Sequence, residues 1–215
     1  FSVGLNGVGN KAVNALSSEF EVVSFRDGNY KRGLFARGEL VEQSDGSSEQ
    51  VNGTYVRFIP DREIFKGYAW QSEYIGKRLR YYAYLNAGLK LKYNGTLFHS
   101  KNGLVDLLHS EIGDEATIYD TLHVKDERFE MAITHTNAYG EHYFSFVNGQ
   151  YTSEGGTHQS AFREGLLKGI NEFAKKNYAG EDVREGLIGA VAIKLKDPVF
   201  ESQTKIKLGS TDVRS

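Results

Sequence analysis

Glu154-Gly-Gly-Thr-His-Gln-Ser-Ala-Phe162-Arg-Glu-Gly-Leu166-Leu-Lys-Gly-Ile170-Asn-Glu-Phe173-Ala-Lys-Lys176 is the stretch whose periodicity decides the fold class. Phe162, Leu166, Ile170 and Phe173 recur at helical steps, so residues 157–176 are predicted to form the longest helix of the chain, with one apolar stripe. Such a stripe requires a surface to cover it. Upstream, residues 117–124, 128–137 and 141–147 read as strands separated by turn residues such as Asp126-Glu127 and Tyr139-Gly140. Downstream, residues 187–195 form a continuous apolar run ended by Asp197-Pro198, the pattern of a buried strand. The expectation is α+β: an antiparallel meander with the long helix packed on it. Asp182-Val-Arg-Glu185 has the form of a capping box for a short helix.

Working outward, residues 104–110 read as a short helix. Ile75, Leu79 and Tyr82 place another helix over 72–86, stopped by Gly88, and Leu89, Leu91 and Tyr93 alternate as a strand. The Asn94-Gly95 turn marks the change from mixed helix and hairpin to a run of strands, so two domains are expected, 1–95 and 96–215. In the first, Ala12, Val13, Ala15 and Leu16 suggest a helix over 11–20, and residues 21–35 a hairpin around Asp27-Gly28. The polar segment 41–52 reads as a surface loop before a strand over 54–59, closed by Pro60.

Composition narrows the function classes. A chain of 215 residues with 40% hydrophobic and 25% charged residues suits a globular protein of one or two cores. A net charge of -2 gives no global reason to bind nucleic acid, so DNA contact would need a local basic patch or another part of a larger machine. Having no cysteine, the chain has no disulfide framework or cysteine-based zinc site. No apolar run approaches a membrane span and no signal-like start is visible, which leads to an expected cytoplasmic location. Phe1 opens directly into a glycine-rich loop without methionine, and the chain is therefore expected to be cut from a longer protein.

Three elements could carry chemistry. Gly4, Gly7 and Gly9 precede a helix, so their backbone amides could converge on an anion; the same pattern also makes an ordinary chain reversal. It is neither a Walker loop nor a dinucleotide fingerprint. In Ser202-Gln-Thr-Lys-Ile-Lys207, Lys205 is either a solvated surface lysine or a cationic donor to a terminal phosphate, with Gln203 adding an amide donor. Glu154-Gly-Gly-Thr-His158 reads as a turn in which Thr157 caps the long helix. His158 shares no metal-ligand spacing with the other histidines, so no metal site is expected. Arg26 and Arg37 flank the hairpin and are expected to face solvent, the alternative being that one of them reaches a nucleotide site.

Taken in order, Val3-Gly-Leu-Asn-Gly-Val-Gly9, Val13-Asn-Ala-Leu-Ser17, Gly53-Thr-Tyr-Val-Arg-Phe58, Glu154-Gly-Gly-Thr-His158, Asp182-Val-Arg-Glu-Gly-Leu187 and Gln203-Thr-Lys205 resemble the ATPase subunits of gyrase and topoisomerase IV, the bacterial type IIA topoisomerases. The resemblance implies the C-terminal part of a GHKL-type ATPase domain over 1–95, followed by a ribosomal-protein-fold-like β-α transducer domain over 96–215. It implies ATP contacts from a lid loop formed by Gly4, Leu5, Asn6, Gly7, Val8, Gly9 and Asn10. It further implies an adenine pocket lined by Thr54 and Val56 with Arg26 at its edge, and a catalytic role for Gln203 and Lys205 at the terminal phosphate. Asn6 stands where gyrase often has histidine, which favours the topoisomerase IV type over the gyrase type. The implied cofactors are ATP and Mg2+, whose asparagine ligand, like the general-base glutamate and the adenine-binding aspartate, belongs upstream of Phe1. The chain alone is therefore not expected to hydrolyse ATP. Implied partners are DNA, an A subunit in a heterotetramer, and a second B subunit on ATP binding. From the residues alone, a non-catalytic β-α module that binds a partner is the alternative.

Overall fold

A computed structural model describes residues 7–214 and divides the chain into two compact units, 4–71 and 72–215. This division falls earlier than the cut near 95 expected from the change of texture. Helix α2 (Ser72–Leu85) and the hairpin of β5 (Lys90–Tyr93) and β6 (Thr96–His99) belong to the second unit, where α2 shares a core with α3 (Leu104–Ile112).

The unit 4–71 begins with α1 (Val8–Ala15) and continues into a four-stranded antiparallel sheet ordered β3-β2-β1-β4, with β1 Ser17–Arg26, β2 Asn29–Ala36, β3 Glu39–Ser47 and β4 Gly53–Pro60. The expected helix over 11–20 is shorter and earlier. The Ser17 hydroxyl donates to the Val13 carbonyl at 2.6 Å, and from Ser17 the chain pairs with β4, setting Phe20 opposite Phe58. The Asp27-Gly28 turn is as expected, with φ of 50° and 78°, the geometry whose twist matches a two-residue hairpin. The expected loop at 41–52 is instead mostly β3. It is polar because it is the sheet edge, and its pairing with β2 requires only backbone groups. Arg37 is half exposed, and its guanidinium pairs at 2.6 Å with buried Asp61, which ties the β2–β3 turn to the end of β4.

In the unit 72–215 a five-stranded sheet is ordered β10-β9-β11-β8-β7, with β7 Leu122–Lys125, β8 Phe129–His135, β9 His142–Val147, β10 Gln150–Tyr151 and β11 Leu187–Ile193. The expected meander is overturned here. After β10 the chain crosses through α4 (Thr157–Ala174) and α5 (Gly180–Arg184), then inserts β11 between β8 and β9, antiparallel to the first and parallel to the second. A strand covered on both faces and paired on both edges must be apolar throughout, which is the pattern of residues 187–193. The strand expected at 117–124 shrinks to β7 and a lone bridge at Thr117. Between them the Tyr119 carbonyl accepts from the Thr134 hydroxyl.

The two sheet faces differ. On one, Leu104, Leu107 and Leu108 of α3 and Tyr81 of α2 are buried against Ala132, Phe146, Ile188 and Ala190. On the other lies α4, with Phe162 edge-on to Tyr143. Only the start of this cover is tight. His158 is the one residue of α4 that is fully buried, whereas Phe173, expected on the buried stripe, is 93% exposed. Phe162, Leu166 and Ile170 line an apolar groove of about 640 Å³ with Met131 and Val191. The capping box at Asp182 is not formed. Helix α5 starts at Gly180 without a side-chain cap, and Glu185, at its end, accepts from the Gly140 amide at 3.2 Å. No helix among the described residues is long and apolar enough to cross a membrane.

Candidate functional site

In the unit 4–71 the glycine loop leads into α1 through Gly7, whose φ of 60° is left-handed. No side chain caps the helix and its first turn holds no acidic residue. A Cβ at Gly7 or Gly9 would meet nothing within 4 Å. The amides of Val8, Gly9 and Asn10 therefore start a helix whose partial positive charge no carboxylate offsets locally, a setting that fits a phosphate. Gly4, Leu5 and Asn6, the rest of the expected lid loop, lie outside the described residues.

The sheet brings together three other predicted residues. Ser24 pairs with Thr54 and Val22 with Val56, so Thr54 and Val56 share a face with Ser24 and with Arg26 two residues on. Arg26 is exposed and lies 3.4 Å from the Asp27 carboxylate, and Val56 is 51% exposed. The same row continues to Phe58, which meets Trp70 edge-on and lines an apolar cleft of about 350 Å³ with Ala12, Val13 and Leu16. Exposed apolar residues beside an arginine make this face suited to a flat heterocycle with a polar edge.

In the unit 72–215, Gln203 and Lys205 sit on a short loop closed at its base by backbone bonds. The Glu201 amide donates to the Lys207 carbonyl at 3.1 Å and the Gly209 amide to the Val199 carbonyl at 2.8 Å. Within the loop the Lys205 amide donates to the Ser202 carbonyl at 3.1 Å, and the Ser202 and Thr204 hydroxyls lie 2.6 Å apart. Gln203 is exposed, and Lys205 is half-buried with φ of 57°. A left-handed conformation costs a side-chain-bearing residue about 1 kcal/mol, so the loop holds Lys205 against its local preference.

Sequence reasoning missed what holds this loop. The Glu154-Gly-Gly-Thr157 segment runs alongside its returning limb. The Glu154 amide donates to the Ile206 carbonyl at 3.0 Å, the Leu208 amide to the Gly155 carbonyl at 3.1 Å, and the Thr157 amide to the Leu208 carbonyl at 3.0 Å. Leu208 has no exposed surface and bridges Gly156 on one side and Phe200 on the other. Thr157 is not the helix cap. Gly156 holds that position, and the Thr157 hydroxyl is buried without a hydrogen-bond partner.

His158 lies under this strap, 3% exposed. Its Nε2 is 3.1 Å from the Thr152 hydroxyl, while Nδ1 has no partner. Thr152 in turn donates to the Ser145 carbonyl at 2.7 Å. Burial pushes the His158 imidazole down to about 4. The unfolded chain therefore takes up this proton at higher pH than the folded one. Stability from the neutral ring is complete above about pH 6.5 and is lost as pH falls toward 4, a difference on the order of 3 kcal/mol. Urea unfolding at pH 7 and pH 4.5 should show this loss, and His158→Gln should remove most of it, leaving the share due to carboxylates. Equal pH dependence in both proteins would place the loss elsewhere.

Comparison with known proteins gives one consistent answer. The family described as DNA gyrase B matches residues 95–215. The chain is 52% identical over its whole length to the B subunit of DNA topoisomerase 4 from Borreliella burgdorferi, covering 36% of that protein. It is 36% identical to the B subunit of DNA gyrase from Clostridium acetobutylicum, over 99% of the chain and 37% of the relative. It thus spans little more than a third of the length of these relatives. Among solved structures, the 43K ATPase domain of Thermus thermophilus gyrase B, in complex with an aminocoumarin, superposes with a TM-score of 0.79 at 32% identity, over 97% of this chain and 63% of that one. The ATPase region of Saccharomyces cerevisiae topoisomerase II shares the fold at a TM-score of 0.75 and 22% identity, over 97% of this chain and 57% of that one.

Proposed function

Because the chain belongs to the DNA gyrase B family, the B subunits of type IIA DNA topoisomerases, we propose that it is the segment linking an ATP site to the gate of such an enzyme. ATP, bound with Mg2+, is the proposed cofactor, and its hydrolysis supplies the free energy that resets the gate. The lid residues Gly4 to Asn10 would offer amides to the phosphates. Thr54 and Val56 would line the adenine pocket, with Arg26 at its rim. Gln203 and Lys205 would hold charge at the terminal phosphate. The observation that carries this role is the left-handed Lys205 on a loop closed at its base.

Donors that meet the terminal phosphate of ATP have no such partner in ADP. Lys205 and Gln203 therefore give the two nucleotide states different interaction energies, the requirement for a ligand to shift a conformational equilibrium. A functional boundary at 95/96 has the support of a family match that begins at residue 95. The enzyme would act in the cytoplasm on DNA as a heterotetramer with an A subunit, its B subunits dimerising on ATP.

The topoisomerase IV type is favoured by the 52% identity to a topoisomerase 4 relative, against 36% to a gyrase relative. The intact subunit, combined with its A subunit, should unlink catenated DNA circles in an ATP-dependent reaction and should not introduce negative supercoils. ATP-dependent negative supercoiling would assign gyrase instead. No ATP-dependent change in topology would overturn the proposal altogether.

A further inference from the structure

We propose that Gly156, with the strap Glu154–Thr157, is a positioning residue that sets the placement of Lys205; this rests on Lys205 being the phosphate donor proposed above. The strap makes three backbone hydrogen bonds, one to Ile206, the residue after Lys205, and two to Leu208, three residues after it. Leu208 cannot move independently of it. Its side chain is fully buried and its backbone bridges both Gly156 and Phe200. The close approach requires glycine. At Gly156, with φ of 131°, a Cβ would stand 2.3 Å from the Leu208 carbonyl oxygen and 2.5 Å from its nitrogen. These are backbone atoms that no rotamer change can clear. Relieving the 2.3 Å contact to an ordinary one shifts Leu208 by about 1 Å, and three residues away Lys205 moves with it.

Gly155 supplies the internal control. It too has positive φ, 68°, but a Cβ there would meet first the Gln159 side-chain oxygen at 2.7 Å, the far end of a flexible group. Gly155→Ala introduces a side chain at a positive φ without pushing on Leu208, although its strain is milder than at Gly156, whose φ of 131° and ψ of -165° only glycine adopts readily. Thr157→Pro attacks the strap from the other side. Proline is tolerated at the first residue of a helix, here α4, but it removes the amide that donates to the Leu208 carbonyl and places its ring where that hydrogen pointed.

The test is steady-state ATP hydrolysis by the intact subunit carrying Gly156→Ala, Gly155→Ala, Thr157→Pro or Lys205→Ala, and Gly156→Ala and Thr157→Pro each combined with Lys205→Ala. Gly156→Ala and Thr157→Pro should lower kcat on the order of 10–100-fold with KM for ATP changed less than about twofold, and Gly155→Ala should stay near wild type. Each strap substitution should cost nothing further once Lys205 is alanine, because both act through one group. A purely structural role would give the same loss in either background. Wild-type kcat in both strap variants, or losses that multiply with Lys205→Ala, would overturn the proposal. Wild-type turnover in Lys205→Ala alone would instead remove its premise. Should Gly156→Ala fail to fold, Thr157→Pro decides.

Discussion

Replacing Lys205 with alanine in the intact subunit should reduce kcat for ATP hydrolysis on the order of 10²–10³-fold, the usual cost of removing one aligned donor to developing charge. Three features of the chain argue for an effect of this size. The loop is tied at its base and along one limb by backbone hydrogen bonds, so the side chain starts from a defined place. Its backbone is held left-handed, so the loop fixes Lys205 against its local preference. And Gln203 stands two residues away with a second donor. The substitution leaves the buried anchor Leu208 intact, so the thermal midpoint should move little. Lys205→Met, which keeps length and loses charge, should be as slow as alanine. Lys205→Arg should recover only part of the rate, since a planar fork is not a point charge. A coupled ATPase assay with all three variants checks this. Wild-type turnover in the alanine variant would end the assignment of Lys205, and full activity in the methionine variant would show that the charge is not what matters.

How far the residues announce this arrangement depends on whether the deciding interaction is local. The Asp27-Gly28 hairpin is legible because both residues prefer the left-handed region that the turn requires. The next turn, Arg37-Gly38, has the same geometry, but arginine carries no such preference. Strand β3 therefore reads as a loop, and its polar edge composition reinforces the error. The long helix is legible from period alone, but the partner strands and their order are not. That β11 separates β8 from β9 follows from a crossover connection, and the sole local sign is a run apolar on both faces. The candidate site divides likewise. Gly7, Arg26, Thr54, Val56, Gln203 and Lys205 are nameable from motif resemblance. The strap holding Lys205 joins segments far apart in sequence through main-chain atoms, which no side-chain pattern encodes. Two adjacent glycines before a helix are its one visible trace, and a helix cap explains them equally well.

Phe146→Ala should destabilise the unit 72–215 by about 3–5 kcal/mol, a large part of what a domain of this size commonly has. Phe146 is fully buried on the sheet face that α2 and α3 cover. Its ring lies 5.5 Å from that of Tyr81 and 5.4 Å from that of Tyr151, so truncation removes two aromatic contacts as well as buried area. Relaxation into the gap is limited, because β9 is paired to both β10 and β11 and the facing residues Leu104, Leu107 and Leu108 have no exposed surface through which to shift. Phe146→Leu, which keeps much of the volume, should cost clearly less. The single tryptophan, Trp70, belongs to the other unit, so two probes separate a local effect from a general one. Amide exchange in β8, β9 and β11 should accelerate strongly in Phe146→Ala, whereas the fluorescence midpoint of Trp70 should shift much less. Unchanged exchange in those strands would show that this face is not the core of the unit. Equal shifts in both probes would show that the two units unfold together, so that a core defect beneath the sheet is felt throughout the chain.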